Sequence, residues 1–370
     1  MTLRLIPMTT RGFRALVMPD SPQRRSERLA AIALPALFLG TNAVFIVLLY
    51  FRTLHTDIVI RLLYDVNTLL FPPLFLVYAA RRIFMRAPRR RRSLVWAALA
   101  VLLVSLRVYA THIEPHLLQV HEVTIHSDKV TKSFTLLHLS DIQSGGIGAY
   151  EEKVFARIRD LNPDLIVHTG DLLQPQGGAT RKSELPKLAA LFATLNPPLG
   201  MYTVEGESDT GLTNIPPQSL GGLRFLNSEA VGIRAKGYHI RLLGLAHAHS
   251  FRHGAVPGAE VSRWLAESPP DALNIVMGHR PDYLTRLTNQ PIDLCLAGHT
   301  HGGQVRLPWI GALATSSNAP REWSRGFREV GRTRLNVSAG IGASHNKGLP
   351  SIRINCPPEM TLIRFVPEGA

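Results

Sequence analysis

Two histidines stand one residue apart in Gly298-His299-Thr300-His301-Gly302-Gly303-Gln304, directly after the short apolar run Ile292-Asp293-Leu294-Cys295-Leu296-Ala297. That run reads as a buried strand. A loop at a strand's end can aim both imidazoles into one space, and the paired glycines let the backbone come close to a bound ion. Metal ligation is the chemistry this stretch suggests. The plainer alternative, one ring capping the strand and the other in water, weakens when the rest of the chain is laid beside it.

The same arrangement recurs upstream. After a strand over 120–125, Phe134 to Leu139 reads as a strand ending at Ser140-Asp141-Ile142-Gln143, and Asp164 to Thr169 as one ending at Gly170-Asp171. Met201 to Val204 ends at Glu205-Gly206-Glu207-Ser208-Asp209, and Asn274 to Met277 ends at Gly278-His279-Arg280-Pro281. Helices are expected at 150–161, with Val154, Phe155 and Ile158 on one face, and at 183–195, stopped by Asn196-Pro197-Pro198. Further strands are expected at 223–226, 231–235, 238–245, 334–338 and 360–366, and a short helix at 261–267. Five strand ends thus present Asp, Glu or His, which follows the α/β rule that ligands bind at the carboxyl ends of strands.

The presented residues are Asp141, Asp171, Glu207, Asp209, His279, His299 and His301. Carboxylates mixed with imidazoles suit Mn, Fe or Zn and suit Mg or Ca less well. Two such cations about 3.5–4 Å apart clamp a phosphate and activate a water, and a carboxylate such as Asp171 is the right group to bridge them. Arg280, beside His279, is a candidate to bind a substrate phosphate. His138 and His168 fall inside strands and read as core or sheet residues. His247 and His249 follow a strand; His249 is the candidate to approach a substrate, and the plainer reading keeps both out of the site.

Taken in order, Asp141-Ile142-Gln143, Gly170-Asp171, Gly206-Glu207-Ser208-Asp209, Gly278-His279 and Gly298-His299-Thr300-His301 resemble the motifs of the calcineurin-like metallophosphoesterases, and among them bacterial members with N-terminal transmembrane segments. Leu199 to Val204, His301 to Val305, Val337 to Gly342 and Asn355-Cys356-Pro357-Pro358-Glu359 carry the likeness further, over residues 118–366. The resemblance implies a four-layer α/β/β/α sandwich of two mixed sheets with a dinuclear centre at the strand ends. By position, it implies that Asp141 and His301 bind one metal, Asp171 bridges, and His279 and His299 bind the other. Asp171, Glu207 and Asp209 form the catalytic set, with Asp209 read as orienting the third loop instead of binding metal. Three positions depart from the pattern. Gln143 stands where the first motif has His, leaving a weak neutral ligand. Glu207 and Ser208 stand where the third motif has Asn and His. Glu207 can replace a ligand, whereas Ser208 cannot supply the acid that helps the leaving group depart.

The net charge of +14 is uneven. Residues 1–111 carry 16 Lys+Arg against 4 Asp+Glu, and residues 112–370 carry 25 against 23. The main domain is therefore not a nucleic-acid binder by charge. The basicity flanks apolar runs: 1–28 is a basic tail, and 29–51, 58–80 and 94–110 read as three membrane spans of one anchor, joined by a connector at 111–117 to the domain at 118–366. A cleaved signal is the competing reading of 29–51, but the run is long and two more follow. Arg61 and Asp65 are spaced to pair on one helix face, Arg107 to snorkel, and Pro72-Pro73 to kink the second span. Arginines in the tail and at 81–92 place those segments in the cytoplasm and the domain outside it. Cys295 and Cys356 make no disulfide framework, and two free thiols are the simpler reading.

The expectation is a phosphoesterase held in the inner membrane by several spans. It would use two divalent ions, Mn, Fe or Zn, or a single ion. Its substrates would be phosphate esters, of lipid or lipid-linked type, placing it in lipid metabolism with membrane lipids as neighbours. The alternative is an impaired member that binds a metal or phosphorylated ligand without turnover.

Overall fold

The computed structural model describes residues 22–51, 56–84, 90–235, 237–250, 258–344 and 351–369. Most of the basic tail and part of the basic 81–92 stretch lie outside the described residues. Helices α1 (Pro22–Phe51), α2 (Thr56–Asp65), α3 (Phe71–Phe84) and α4 (Arg90–Val108) come first. The main domain follows with strands β1 (Gln119–Ser127), β2 (Phe134–Leu139), β3 (Leu165–His168), β4 (Met201–Thr203) and β5 (Leu223–Phe225), and with helices α5 (Ala149–Leu161) and α6 (Arg181–Phe192) between them. Its second half holds β6 (Glu229–Ala235), β7 (Tyr238–Gly244), β8 (Ala272–Met277) and β9 (Leu294–Ala297), with α7 (His247–Ser250) and α8 (Gly258–Ala266) inserted. A small hairpin, β10 (Arg306–Leu307) and β11 (Gly311–Ala312), precedes β12 (Gly326–Val330), β13 (Thr333–Val337) and β14 (Glu359–Pro367).

Two six-stranded mixed sheets result, in the orders β1-β14-β2-β3-β4-β5 and β12-β13-β9-β8-β7-β6. Because each is covered on both faces, its inner strands are apolar throughout instead of alternating with polar residues. Successive side chains still part to opposite faces. Leu137 and Leu139 of β2 meet Val154, Phe155 and Ile158 of α5, while Phe134 and Leu136 face the other sheet. Leu294 and Leu296 of β9 meet that same inter-sheet core, and Cys295 and Ala297 turn outward to Val261, Trp264 and Leu265 of α8. The layers run helix, sheet, sheet, helix, as expected. Truncating Phe155, edge-on to Phe192 at 4.9 Å in a sealed core, would cost about 3–5 kcal/mol.

The differences from expectation are local. Helix α6 starts two residues early because Thr180 caps it, its Oγ1 accepting from Ser183 N at 3.1 Å. Strand β12 and the β10–β11 hairpin had no counterpart in the sequence reading. Gly331 at φ +60° turns β12 back onto β13, and this turn was the available signal.

Among the described residues, three helical stretches are long and apolar enough to cross a membrane, Leu29–Leu49, Thr56–Phe84 and Ser93–His116. The last is longer than the expected 94–110 because Tyr109–Ile113 and Glu114–His116 continue the helix in π and 3-10 turns. A π stretch, Val66–Leu70, directly precedes Pro72-Pro73; a wider turn is one way to accommodate carbonyls that prolines cannot satisfy. Arg61 Nε donates to Asp65 Oδ2 at 2.7 Å, the pair their spacing anticipates. Arg107 does not snorkel. Its NH1 donates to Asp65 Oδ1 and to Thr68 Oγ1, both at 3.0 Å, so a carboxylate on a facing helix holds it inside the bundle. Ile60, Tyr64 and Ala110 then pack on Val305 and Ile352 of the main domain, with Leu49 beside them. The site adjoins that surface, since Asp57 of α2 and Ala314 both line its pocket.

Candidate metal centre

Strand ends of both sheets deliver the residues: Asp141 after β2, Asp171 after β3, Glu207 after β4, His279 after β8, and His299 and His301 after β9. The backbone there is unusual. Asp141, Gln143, Asp171, His299 and His301 all hold positive φ, between +35° and +65°. A non-glycine residue in that region is disfavoured by about 1–2 kcal/mol, so five such residues in one cluster mark a functional site. Space is equally constrained. A Cβ on Gly298 would lie 1.8 Å from Ser140 Oγ and 2.3 Å from Asp141 Oδ2, and one on Gly206 would lie 2.2 Å from Asp171 Oδ1. Both glycines exist to let the loops close over the carboxylates.

Asp141 and His301 form the buried side, His301 Nε2 standing 3.5 Å from Asp141 Oδ1. A one-way hydrogen-bond chain orients Asp141. Asn336 Nδ2 donates to His138 Nδ1 (2.7 Å), His138 Nε2 to Thr169 Oγ1 (3.0 Å), Thr169 Oγ1 to Ser140 Oγ (2.7 Å) and Ser140 Oγ to Asp141 Oδ2 (2.5 Å). His138 is thus a core residue, held neutral by burial that pushes it down to about 3. His168 is likewise sealed and paired with Thr203 Oγ1 at 2.9 Å. Burial pushes the Asp141 carboxyl up to about 7, the His279 charge opposing and the Asp171 charge adding. Burial and the nearby Arg353 charge hold His301 well below its usual value, leaving a neutral ring.

Glu207 centres the open side. Its Oε2 lies 2.5 Å from His279 Nε2 and 3.1 Å from His299 Nδ1, and its Oε1 accepts from Arg280 NH1 at 2.7 Å. Burial would raise its pKa, but the bonds of His247, His279 and His299 outweigh this and hold it below the carboxylate range. His279 Nδ1 donates to Thr169 O at 2.7 Å, which aims Nε2 into the site. Although burial opposes it, the Asp171 and Glu207 carboxylates push His279 up to about 10. Three carboxylates around these rings demand positive charge.

Asp171 lies between the two sides. Gln143 Nε2 donates to its Oδ2 at 2.5 Å, and Ser208 donates to its Oδ1 from both N (2.8 Å) and Oγ (3.0 Å). Ligand atoms of Asp141, Asp171 and His279 fall within 4.8 Å of one another, as do those of Glu207, His279 and His299. Asp141 Oδ1 and Gln143 Oε1 are buried without a hydrogen-bond partner. Such atoms are rare in folded proteins, and a cation beside Asp141 would satisfy them. The residues present fit divalent metal.

Two sequence assignments change. Asp209 is sealed, its Oδ2 accepting from the backbone N–H of Asp171 (2.6 Å) and Gly206 (3.0 Å) and its Oδ1 from that of Leu172 (2.9 Å). It ties the second and third loops together instead of facing a substrate. Arg280 is turned onto Glu207 and Ser316 O, so it neutralises a ligand instead of meeting a phosphate. His249 bonds Ser228 Oγ at 2.8 Å, whereas His247 Nε2 comes 3.6 Å from Glu207 Oε1. The missed residue is His247, and its signal was a position right after β7, like every other site residue. The anchor contributes too. A pocket of about 330 Å³ is lined by Asp171, Glu207, His299 and His301, and also by Asp57 at the start of α2.

Residues 134–303 match the calcineurin-like phosphoesterase family. That segment carries this chain's likeness to the family. The chain is 27% identical over 268 residues to the uncharacterized metallophosphoesterase YkuE of Bacillus subtilis, covering 69% of this chain and 87% of that protein. It is 24% identical over 318 residues to the UDP-2,3-diacylglucosamine pyrophosphatase LpxG of Chlamydia muridarum, covering 70% and 93%. A transmembrane protein with a metallophosphoesterase domain from Bos taurus is 29% identical over 201 residues, covering 50% and 44%. In this segment the departures expected at Gln143 and Ser208 converge on one group. Both side chains clamp Asp171, while Glu207 gathers the imidazoles.

Proposed function

We propose that the protein is a membrane-anchored, metal-dependent phosphoesterase whose centre lies outside the cytoplasm and acts on lipid or lipid-linked phosphate esters. The observation that carries it is the orphaned, buried Asp141 Oδ1, whose carboxylate shares one cluster of ligand atoms with Asp171 and His279. Asp141 and His301 would hold one cation, His279, His299 and Glu207 a second, and Asp171 would bridge them. Mn, Fe and Zn suit this donor set. When bound, the ions supply Lewis-acid charge to the phosphate and acidify a water. The chain's own residues do the rest. Gln143 and Ser208 fix the carboxylate plane of Asp171, His279 is locked by Thr169 O, and Arg280 offsets the charge of Glu207. No imidazole stands at 208 to protonate a leaving group, which favours esters whose leaving group departs unaided.

The spans support a membrane site, and the likeness to a lipid-sugar pyrophosphatase supports the substrate class. The ends of α1 and α4 and the start of α2 meet at the domain, which leaves Arg81 and Arg82, near the end of α3, at the other end of the bundle, in keeping with a cytoplasmic location for them. The three hydrogen bonds on Asp171 favour a second reading, a member that binds metal or a phosphorylated ligand without turnover. Full-length protein in detergent, given manganese and an activated phosphodiester, separates the two. Turnover abolished by His299→Ala supports the enzyme. Metal bound without turnover in either protein supports the binding module.

A further inference from the structure

We infer that the tip of the β10–β11 hairpin, Leu307 to Ile310, inserts into the interface of the bilayer that holds the anchor and keeps the mouth of the metal centre at headgroup level. This rests on the membrane-anchored reading above and adds a second, catalytic-domain contact to it.

Among the described residues, large hydrophobic side chains exposed to solvent occur in two places only: within 29–117, and at Leu307 (40%), Trp309 (103%) and Ile310 (59%). Three in four residues is a patch, on a domain that otherwise hides its large apolar groups. The hairpin is built to present them. Arg306 pairs with Ala312 and Leu307 with Gly311, and Ile310 N donates to Pro308 O at 2.8 Å to close the turn. Trp309 sits at φ +63° with its ring wholly outside the protein. Tryptophan is the side chain that favours the membrane–water boundary, having an apolar body and a polar N–H.

The stem is rigid and continuous with the anchor. Arg306 NH1 donates to Gly302 O (2.7 Å) and Ser324 Oγ (3.1 Å), and its N donates to Ile354 O (3.0 Å). Val305, Leu313 and Ala314, at the two feet of the hairpin, pack on Ile60, Tyr64 and Ala110 of the anchor's domain-side ends. A tip projecting from there extends the apolar surface of the bundle, so lipid is the occupant continuous with it. The same feet bound the pocket. Gly303, Gln304, Ala314 and Thr315 line it together with Asp57 at the head of α2. A phosphate at the level of the headgroups could enter while its acyl chains stay in the bilayer.

The test uses full-length protein in liposomes of phosphatidylethanolamine and phosphatidylglycerol, labelled through an introduced cysteine with a polarity-sensitive fluorophore. Both native cysteines are buried, so labelling is selective. Ile310→Cys reports the hairpin, Val101→Cys the middle of α4, and Asp271→Cys the exposed loop before β8. The label at 310 should be blue-shifted and quenched by a shallow doxyl lipid at least about twofold more than the label at 271. Emission as in water at 310, with strong quenching at 101, overturns the hairpin contact and leaves the anchor standing. Water-like emission at both sites sinks the anchor reading and this inference with it. A blue shift at 310 that no doxyl lipid quenches means a second copy covers the tip, which also overturns the proposal. As a second readout, Trp309→Ser with Ile310→Ser should slow hydrolysis of a phosphoester embedded in vesicles by about tenfold and leave a water-soluble activated phosphodiester unaffected. Equal loss on both substrates would count against it.

Discussion

Asp141 and His301 are sealed from water, at 0 and 4% exposure, whereas Glu207 leaves 34% of its side chain open across the same few ångströms. The sealed side is organised by neutral groups, with the Asn336–His138–Thr169–Ser140 chain delivering hydrogen bonds and no charge to Asp141. The open side is organised by charge, with Arg280 and three histidines around one carboxylate. A cation entering the sealed side meets an Asp141 carboxylate opposed only by the His279 charge and, among the described residues, bound to no arginine. One entering the open side competes with Arg280. The two sides should therefore hold metal unequally, tightly at Asp141–His301 and more loosely at Glu207. That contrast explains how Glu207 can stand where the family has a neutral Asn. Its added negative charge is met by Arg280, itself ordered by Ser316 O.

Asp171 belongs to both sides, so its loss should erase the contrast altogether. Asp171→Asn is expected to reduce phosphodiester turnover to background and metal content to less than one ion per chain, read by hydrolysis and elemental analysis. Retained activity would remove Asp171 from the centre. Gly298→Ala strikes the sealed side alone. A displacement of about 1 Å in Asp141 should cost about 10²-fold in turnover, and a crystal structure should show the loop pushed off Ser140. Ser208→His tests whether the open side lacks an acid. The rate should rise by up to about 10²-fold for esters with poor leaving groups and little for activated ones. A uniform rise, or none, would mean that Ser208 serves some other need.

Arg280→Gln should narrow the inequality between the sides. Removing the cation beside Glu207 should tighten the weaker manganese site by about tenfold, since groups next to a ligand commonly shift affinity by that order, with the tighter site unchanged in the same titration. Glu359→Gln should disturb chemistry least and stability most. Burial raises its carboxyl, but His121, Arg325 and the Ala339 N–H together hold it below the usual 4.5. Its carboxylate binds Arg325 at 2.5 Å while 1% exposed, and losing one partner of a buried pair costs about 3–5 kcal/mol. Because the folded value is the lowered one, this stabilisation is complete above 4.5 and disappears as pH falls through the folded pKa. Urea melts from neutral pH downward should converge for wild type and variant in acid. Glu359 also supports the sealed side, as its N donates to Gly340 O, and Gly340 abuts Asp141.

Local patterns carried a great deal. Strand β2 ends at Leu139 as its apolar run does, and α5 buries the Val154, Phe155 and Ile158 face that its periodicity announces. The positions of Asp141, Asp171, Glu207, His279, His299 and His301 were legible for the same reason, since an apolar run followed by Gly and a ligand residue is a message written within six or seven neighbours. Where side chains point from there was not legible. Asp209 reads as a residue that orients the third loop, but the three backbone amides it accepts from lie on two loops and are invisible in the letters, as is the Glu207 that holds Arg280. His247 and His249 are indistinguishable in a row of letters, and only the crossing of β7 against β4 decides which one meets Glu207. Arg107 reads as a snorkelling residue because its partner Asp65 is 42 positions away. Sequence by itself determined the strands, the apolar runs and the strand-end positions of the carboxylates and imidazoles, because burial and turns are set by near neighbours, while the two-sheet sandwich came from the resemblance. Tertiary structure alone decided which charges cancel and which donors hold Asp171. It also decided that the anchor's first turn at Asp57 shares a pocket with the metal centre, since these depend on contacts between segments far apart in the chain.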